Sequence, residues 1–318
     1  MLRDAGFEAN PVLLSTRGHG QIQDLYPILN QFDYVICQAV IGGNTMFMDA
    51  TDRVRPMELL PHRALNSRGF LVANGKHRWV SIVPTGKSSS SYTANCSVSD
   101  NGALNGKLQL TFQDYSALSL RHSLSEKKPE DVIKSILKPD TYSLTIDSFS
   151  IRNKDMVRMP LIIDANISSG TYAQALDSFI YINPMTIDRT MDNPFKQEVR
   201  SFPVDFAYPI IDSYTINLTL PDGYVLKEFP QDINISVQGN IGTYQRKSQL
   251  SGNIFQLSTT FALDQIFVPP NQYPTLRKFY EQVVALESEQ LILQKRTEPA
   301  EVKPPPKTSG MKPSKKKK

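Results

Sequence analysis

Two cysteines and four histidines are the residues of this sequence best suited to nucleophilic or metal chemistry. Two cysteines, Cys37 and Cys96, are too few for a four-ligand zinc site or for a disulfide framework. Both lie in stretches with strand character, so we expect buried small hydrophobic residues. No two histidines have the i, i+4 or short-loop spacing of a metal-binding pair; they are His19, His62, His77 and His122. The sequence therefore predicts no metal site and no cofactor.

Other signatures of catalysis, nucleotide binding or nucleic-acid binding do not occur in the sequence. The serine run at 88–91 has no Gly-x-Ser-x-Gly nucleophile elbow around it, and no glycine-rich segment fits a phosphate loop. The formal net charge is +4, and residues 297–318 supply that excess with seven lysines against two glutamates. The rest of the chain is close to neutral, which argues against nucleic-acid binding, because such binding depends on neutralising phosphates.

Hydropathy and charge bear on two further features of the chain, namely a membrane-spanning helix and the C-terminal tail. No apolar run approaches the ~18 residues that a transmembrane helix needs. Residues 297–318 have almost no apolar side chains to bury, and their final lysines repel one another. We therefore predict no transmembrane segment and a disordered basic tail at 297–318.

Alternating apolar and polar residues predict long β-strands from Val80 onward. The segment 142–151 has a period of two, as expected for a strand with one buried and one solvated face. Many such segments, broken by Asn-Gly, Asp-Gly and Pro, are typical of a β-sandwich. The other predicted strands cover residues 92–98, 107–115, 159–167, 175–182, 213–220, 233–238 and 253–261.

Two helices are predicted to interrupt these strands. The first spans about residues 128–137, with Pro129 at an early position where its missing amide hydrogen costs nothing. The second spans about residues 273–294 and should dock on the sandwich, because it has one apolar stripe. The stripe consists of Leu276, Phe279, Tyr280, Val283, Leu286 and Ile292.

The first 60 or so residues follow a different pattern. Residues 1–6 have the character of the last turn of a helix that ends at Gly6. Strands are predicted at 10–16, 32–41 and 45–50, and Gly42-Gly43-Asn44 predicts a hairpin between the last two. A sheet this small buries too little surface to fold alone. We expect half of a domain, with the other half upstream.

Segments of this region resemble, in order and spacing, the second half of the core of bacterial transglutaminase-like envelope proteins. They are Ala5-Gly6-Phe7, PVLLSTR from Pro11, QFDYVI from Gln31, MDAT from Met48, and Leu60-Pro61. Later segments resemble the C-terminal β domain of unknown function of those proteins. They are FPVDFAYP from Phe202, LPDGY from Leu220 and YPTLRKFY from Tyr273. The resemblance covers about residues 1–295.

The resemblance implies a papain-like fold with a catalytic Cys, His and Asp. In such a site the imidazole takes the thiol proton and stabilises the thiolate, while the Asp fixes the tautomer of the ring. By alignment, the Asp position falls on Asp49, the His position falls on Tyr34, and the Cys-bearing helix would lie upstream of Met1. A phenol titrates near pH ~10, so it does not accept a thiol proton at neutral pH. Tyr34 and Asp49 are therefore predicted to be vestigial positions of an incomplete triad.

Structural roles, without a part in catalysis, are expected for both Tyr34 and Asp49. Tyr34 is predicted to be a half-buried strand residue with a satisfied hydroxyl. Asp49 is predicted to accept hydrogen bonds from the backbone or from Thr51 at the end of a hairpin. His19, in the loop Arg17-Gly18-His19-Gly20, is the candidate replacement base. Cys37 lies three residues beyond Tyr34, so on a strand it points to the opposite face and is not the missing nucleophile.

We therefore predict a mainly β protein. Residues 1–70 form a partial transglutaminase-like α+β half, residues 71–296 form one or more β-sandwich domains with a C-terminal helix, and residues 297–318 form the tail. The predicted function is a non-catalytic structural or interaction module of a bacterial cell-envelope protein, periplasmic or at the cell surface, with a protein or glycan partner.

Two alternative functions remain open. One is transglutaminase-like or cysteine-peptidase activity whose Cys lies in an upstream half, with a group such as His19 as the base. The other is a carbohydrate-binding β-sandwich that presents exposed aromatic side chains, for which the candidates are Tyr92, Tyr172 and Tyr244.

Overall fold

A computed structural model describes residues 2–138 and 143–296. This part of the chain is mainly β, as predicted, and the tail predicted at 297–318 lies outside it. The strands are β1 (Glu8–Leu14), β2 (Tyr34–Ile41), β3 (Asn44–Met48), β4 (Ser67–Leu71), β5 (Arg78–Ile82), β6 (Ser88–Val98), β7 (Leu104–Gln113), β8 (Thr145–Arg152), β9 (Leu161–Ser169), β10 (Gln174–Leu176), β11 (Phe179–Ile182), β12 (Val204–Asp205), β13 (Ile210–Thr219), β14 (Tyr224–Glu228), β15 (Ile233–Ser236), β16 (Gly242–Ser251), β17 (Ile254–Leu263), β18 (Phe267–Val268) and β19 (Leu291–Lys295). The α-helices are α1 (Asp114–Glu126), α2 (Pro129–Leu137) and α3 (Tyr273–Glu287).

The N-terminal strands form a five-stranded antiparallel sheet in the order β3-β2-β1-β4-β5. The predicted β2–β3 hairpin is present, and Gly42 and Gly43 have φ angles of 57° and 82°, which a two-residue primed turn requires. β4 and β5 were not predicted, so the sheet extends past residue 70, where the sequence-based division was placed. Residues 2–6 form turns rather than the end of a helix.

Eight strands form the larger sheet, in the order β15-β16-β17-β13-β6-β7-β9-β8. All neighbours are antiparallel except β13 and β6. The segment predicted as one strand at 175–182 is instead the hairpin of β10 and β11. Asp177 turns this hairpin with a φ of 53°, a left-handed conformation that Asp tolerates better than most residues.

A four-stranded sheet, smaller than the eight-stranded one, has the order β10-β11-β19-β14. Buried side chains of both sheets belong to one apolar cluster, which contains Leu110 and Ile163 from the large sheet and Ile180 and Leu293 from the small one. The two sheets therefore share a core, as the layers of a sandwich do. α2 contributes Ile133 to the same cluster.

Helix α3 covers the other end of the large sheet but is shorter than predicted. Its Leu276 and Phe279 are buried with Tyr244 and Leu263 of the sheet. The helix ends at Glu287, and residues 291–294, predicted as its last turn, belong to β19. That segment pairs with both β11 and β14, so tertiary pairing overrides the local apolar spacing.

Helix α1 was not predicted at all, and the strand predicted at 107–115 ran into its first turn. It buries Tyr115 and Leu118, and also Arg121, which is 3% exposed. The Arg121 guanidinium donates hydrogen bonds to five backbone carbonyls between residues 153 and 159. A cation on the buried side interrupts the apolar stripe, which is why the sequence pattern did not reveal the helix.

The two faces of the N-terminal sheet are covered unequally. One face buries Ile36 against Leu65 and against Tyr115 and Leu118 of α1. The other face buries a smaller set around Met48 and borders a mostly apolar depression of about 1100 Å³. None of the described helices combines the length and apolar character needed to cross a membrane.

The close approach of β6 and β7 gives a direct test of the large sheet. At Gly106 an added Cβ would lie 2.8 Å from the Asn95 carbonyl oxygen and would overlap the Cys96 sulfur. Gly106→Ala should therefore lower the free energy of unfolding by roughly 1–3 kcal/mol in urea denaturation. Gly170→Ala is the matched control, because no atom lies within 4 Å of a Cβ there. Equal stability of the two variants would contradict this packing.

Candidate functional site

Tyr34 and Asp49 meet at one end of the N-terminal sheet. Tyr34 begins β2, Asp49 directly follows β3, and the antiparallel pairing of the two strands brings these ends together. The Tyr34 hydroxyl donates a hydrogen bond of 2.5 Å to Asp49 Oδ2. The two residues that the resemblance assigns to the triad positions are therefore in direct contact.

The other carboxylate oxygen of Asp49 accepts three hydrogen bonds. Thr51 donates from its amide (2.8 Å) and its hydroxyl (2.5 Å), and Arg55 Nη2 donates at 2.5 Å. The side chains of Asp49 and Arg55 are only 2% and 4% exposed. Burial raises the pKa of Asp49, but the hydrogen bonds from Thr51 and Tyr34 and the Arg55 charge outweigh it and hold that pKa below its usual value.

Arg63 holds the Tyr34 ring from the solvent side. Its Nη2 donates to the Tyr34 hydroxyl at 2.7 Å, and its guanidinium carbon lies 4.6 Å from the centre of the ring. This hydrogen bond raises the pKa of Arg63. The phenol oxygen thus accepts from an arginine and donates to a carboxylate, so its polar contacts are already used.

His19, the candidate replacement base, makes other contacts. Its Nδ1 lies 3.0 Å from Ser15 Oγ, and that hydroxyl donates to the carbonyl of Gly20. Within residues 2–138 and 143–296, no hydrogen bond joins His19 to Tyr34 or Asp49. The structure therefore does not bring the predicted base to the carboxylate.

The two cysteines differ in environment. Cys96 is buried, as predicted, and burial raises its pKa to about 12. Cys37 is half-buried rather than buried, because it lines the partly uncovered face of the N-terminal sheet. Burial nevertheless raises the pKa of the Cys37 thiol, against a smaller lowering by Arg3. Since the thiolate is the reactive form, both environments disfavour nucleophilic chemistry.

A second polar pair, which the sequence did not reveal, joins the N-terminal sheet region to α1. His122 Nε2 lies 2.7 Å from Asp52 Oδ2. The two residues are 70 positions apart, and the helix that carries His122 was not predicted, so no local pattern could connect them.

His62 lies near Tyr208. Burial and the Arg17 charge lower the pKa of His62, and Asp205 acts in the opposite direction.

The aromatic residues proposed for sugar binding do not form an exposed platform. Tyr92 and Tyr244 are 8% and 0% exposed, because their positions on β6 and β16 face the interior. Tyr172 is half-buried, and its hydroxyl donates to the Asn183 carbonyl at 2.5 Å. The expectation that Tyr92 and Tyr244 would be exposed is wrong.

Three carboxyl groups line a cavity of about 150 Å³ between β13, α3 and the loop after β11: Asp188, Asp212 and Glu287. Burial raises the pKa of Asp212 to about 6 and that of Glu287 to about 7. Part of Asp188 is solvent-exposed, yet burial of its carboxyl and the charges of the other two raise its pKa well above the usual value. In the described residues, no group of three or more His, Cys, Asp and Glu could hold a metal ion.

Comparisons with known proteins recognise the C-terminal region. Residues 178–293 match the model of a domain of unknown function with a solved structure, DUF3858. This agrees with the predicted C-terminal β domain of unknown function, and all three clustered carboxyl groups lie within the match. A search of curated proteins found no significant match.

A crystal structure of a provisionally assigned protease from Parabacteroides distasonis is similar to this chain. The two share 13% sequence identity, and the TM-score is 0.46. The similarity covers 92% of this chain but 41% of the other, so the chain spans about two fifths of that structure's length.

The buried ion pair predicts a large effect of Asp49→Asn. This change leaves the Arg55 guanidinium buried without a carboxylate partner, which should cost roughly 3–5 kcal/mol of unfolding free energy in urea denaturation. Asp164→Asn is the control, since Asp164 pairs with the half-exposed Arg152, and it should cost about 1 kcal/mol or less. Similar losses in the two variants would show that the Asp49 pair is not buried in solution.

The carboxyl cluster predicts that stability falls as pH rises. Asp212 and Glu287 have folded pKa values above their unfolded values, so the folded state binds more protons between about pH 4 and pH 7. The unfolding free energy should drop by on the order of 1 kcal/mol or more between pH 5 and pH 7. Asp212→Asn should flatten this dependence, whereas Asp164→Asn should not. A wild-type stability that rises over this interval would contradict the predicted titration.

Proposed function

We propose that this chain is a non-catalytic structural or interaction module of a bacterial cell-envelope protein, periplasmic or at the cell surface, that carries a degenerate transglutaminase-like core. One observation carries the proposal: the Asp49 carboxylate, at the Asp position of the triad, binds Tyr34, Thr51 and Arg55 instead of an imidazole. A carboxylate saturated in this way holds the fold and has no proton-transfer partner to orient.

The surroundings of Tyr34 support the same proposal. A base at this position needs a free lone pair that can take a proton from the nucleophile. The phenol oxygen instead accepts a hydrogen bond from Arg63, whose positive charge disfavours protonation of any neighbouring group. The polar contacts of Tyr34 are therefore those of a structural residue and not those of a catalytic base.

The enzymatic alternative would need a base and a nucleophile elsewhere. The His122–Asp52 pair has the form of an oriented imidazole, and Ser119 lies one helical turn away. Among the described residues, however, no hydroxyl or thiol is hydrogen-bonded to the imidazole of His122, and the Ser125 hydroxyl bonds only its backbone carbonyl. An imidazole without a bonded nucleophile lacks the arrangement on which nucleophilic catalysis depends.

The proposal is tested by thiol-dependent turnover. We expect no transfer of a fluorescent amine to a glutamine-containing peptide, and no peptide cleavage, above the rate in buffer. The chain and the full-length product of its gene are assayed side by side, with an active transglutaminase to show that the assay works. Turnover that iodoacetamide abolishes would refute the proposal, and its loss in Cys37→Ala or His122→Asn would identify the group responsible.

A further inference from the structure

A cavity of about 570 Å³ lies between the loop after β3 and helix α1. We call it the His122 cavity. Its polar walls come from two regions that are distant in sequence: Asp52, Arg55, His62 and Arg63 on one side, and His122 of α1 on the other. The volume is within the usual range for a site that holds a small ligand or the end of a chain.

Arg63 brings to this cavity a positive charge that has no direct ion-pair partner. The residue is exposed, and its described polar partner is the neutral hydroxyl of Tyr34. No carboxylate among the described residues lies within ion-pair distance of its guanidinium. Four of its five N–H donors thus remain available, and a guanidinium binds planar anions in a forked geometry.

Arg55 contributes an unsatisfied donor. Its side chain is 4% exposed, and Nη2 is held by Asp49, but the buried Nε–H has no hydrogen-bond partner among the described residues. A buried donor without a partner costs free energy, which a ligand acceptor that reached Nε would recover. Asp52 holds His122 Nε2, so the orientation of that ring is fixed as well.

A carboxylate fits these walls. It is planar and singly charged, so its two oxygens can accept in parallel from the forked donors of the Arg63 guanidinium. The aromatic side chains of the wall pack on one another, with Tyr115 and Tyr208 stacked at 4.0 Å and His62 against Tyr208, so they do not present a platform for a sugar ring. A peptide carboxylate needs no such platform.

We propose that the His122 cavity binds a carboxylate group of a peptide, with Arg63 as the principal ion-pairing group and Arg55 as a further donor. This inference rests on the proposed function, because it supplies the ligand class of a module that binds without catalysis. The carboxylate belongs to a chain terminus or to an acidic side chain, both of which present the same planar anion.

Binding is measured by NMR titration of the whole chain. The probes are acetyl-Ala-Ala-Ala with a free carboxylate, the same peptide as an amide, acetyl-Ala-Glu-Ala amide, inorganic phosphate and glucuronate. We expect shifts at His122 and Arg63 with a carboxylate peptide, and binding at least about tenfold weaker for the amide, as loss of a charge-assisted pair implies. Comparison of the terminal and side-chain carboxylates identifies the source.

Matched arginine variants test the assignment. Arg63→Gln should weaken carboxylate binding on the order of tenfold, whereas Arg158→Gln should not change it, because Arg158 is exposed and pairs with Glu58 outside this cavity. The inference is wrong if neither carboxylate peptide binds, if Arg63→Gln binds as the wild type does, or if phosphate or glucuronate binds more tightly. Cleavage of a bound peptide would refute the non-catalytic proposal and leave the site intact.

Discussion

Burial of the Arg55 guanidinium is the constraint on which the N-terminal region depends. At this depth the charge needs a compensating partner, and for Arg55 that partner is the Asp49 carboxylate. The pair fixes the start of the loop after β3. From that loop Leu59, Leu60 and Leu65 fill the space between the sheet and α1, so the ion pair and the apolar core support each other.

The same constraint determines what the site can do. An Asp that orients a catalytic imidazole must leave an oxygen for the ring, yet both oxygens of Asp49 are used by Tyr34, Thr51 and Arg55. Arg63 then occupies the outer side of the phenol. The contacts of Asp49 therefore contribute to stability. The donors left unpaired, on Arg63 and Arg55, point to binding of an anion.

Local patterns predicted the features that depend on neighbouring residues. Gly42 and Gly43 identified the hairpin, and that hairpin is what places Tyr34 beside Asp49. Features that depend on pairing between distant segments could not be predicted from these patterns. β19 has helical apolar spacing and becomes a strand because β11 and β14 flank it. Helix α1 was missed because the charged residue Arg121 lies among the apolar residues of its buried side.

The side-chain clusters of the candidate sites also depend on contacts between distant residues, which local patterns do not predict. Asp52 and His122 are separated by 70 residues, and Asp188, Asp212 and Glu287 come from three elements that only the finished fold brings together. Periodicity assigns a strand residue to one of two faces but does not say which face is buried. Tyr244 was therefore expected at the surface, and the structure buries it completely.

The most direct test of the central claim is the titration of the Asp49 carboxyl, followed by carbon-detected NMR from neutral to acid pH. Hydrogen bonds from Thr51 and Tyr34 and the Arg55 charge should hold its pKa below the usual 3.8. The structural role predicts a midpoint below that value, which moves upward in Tyr34→Phe. A midpoint at or above 3.8 would show that the carboxylate is not saturated by these donors, and would contradict the assignment of Asp49 as a structural group.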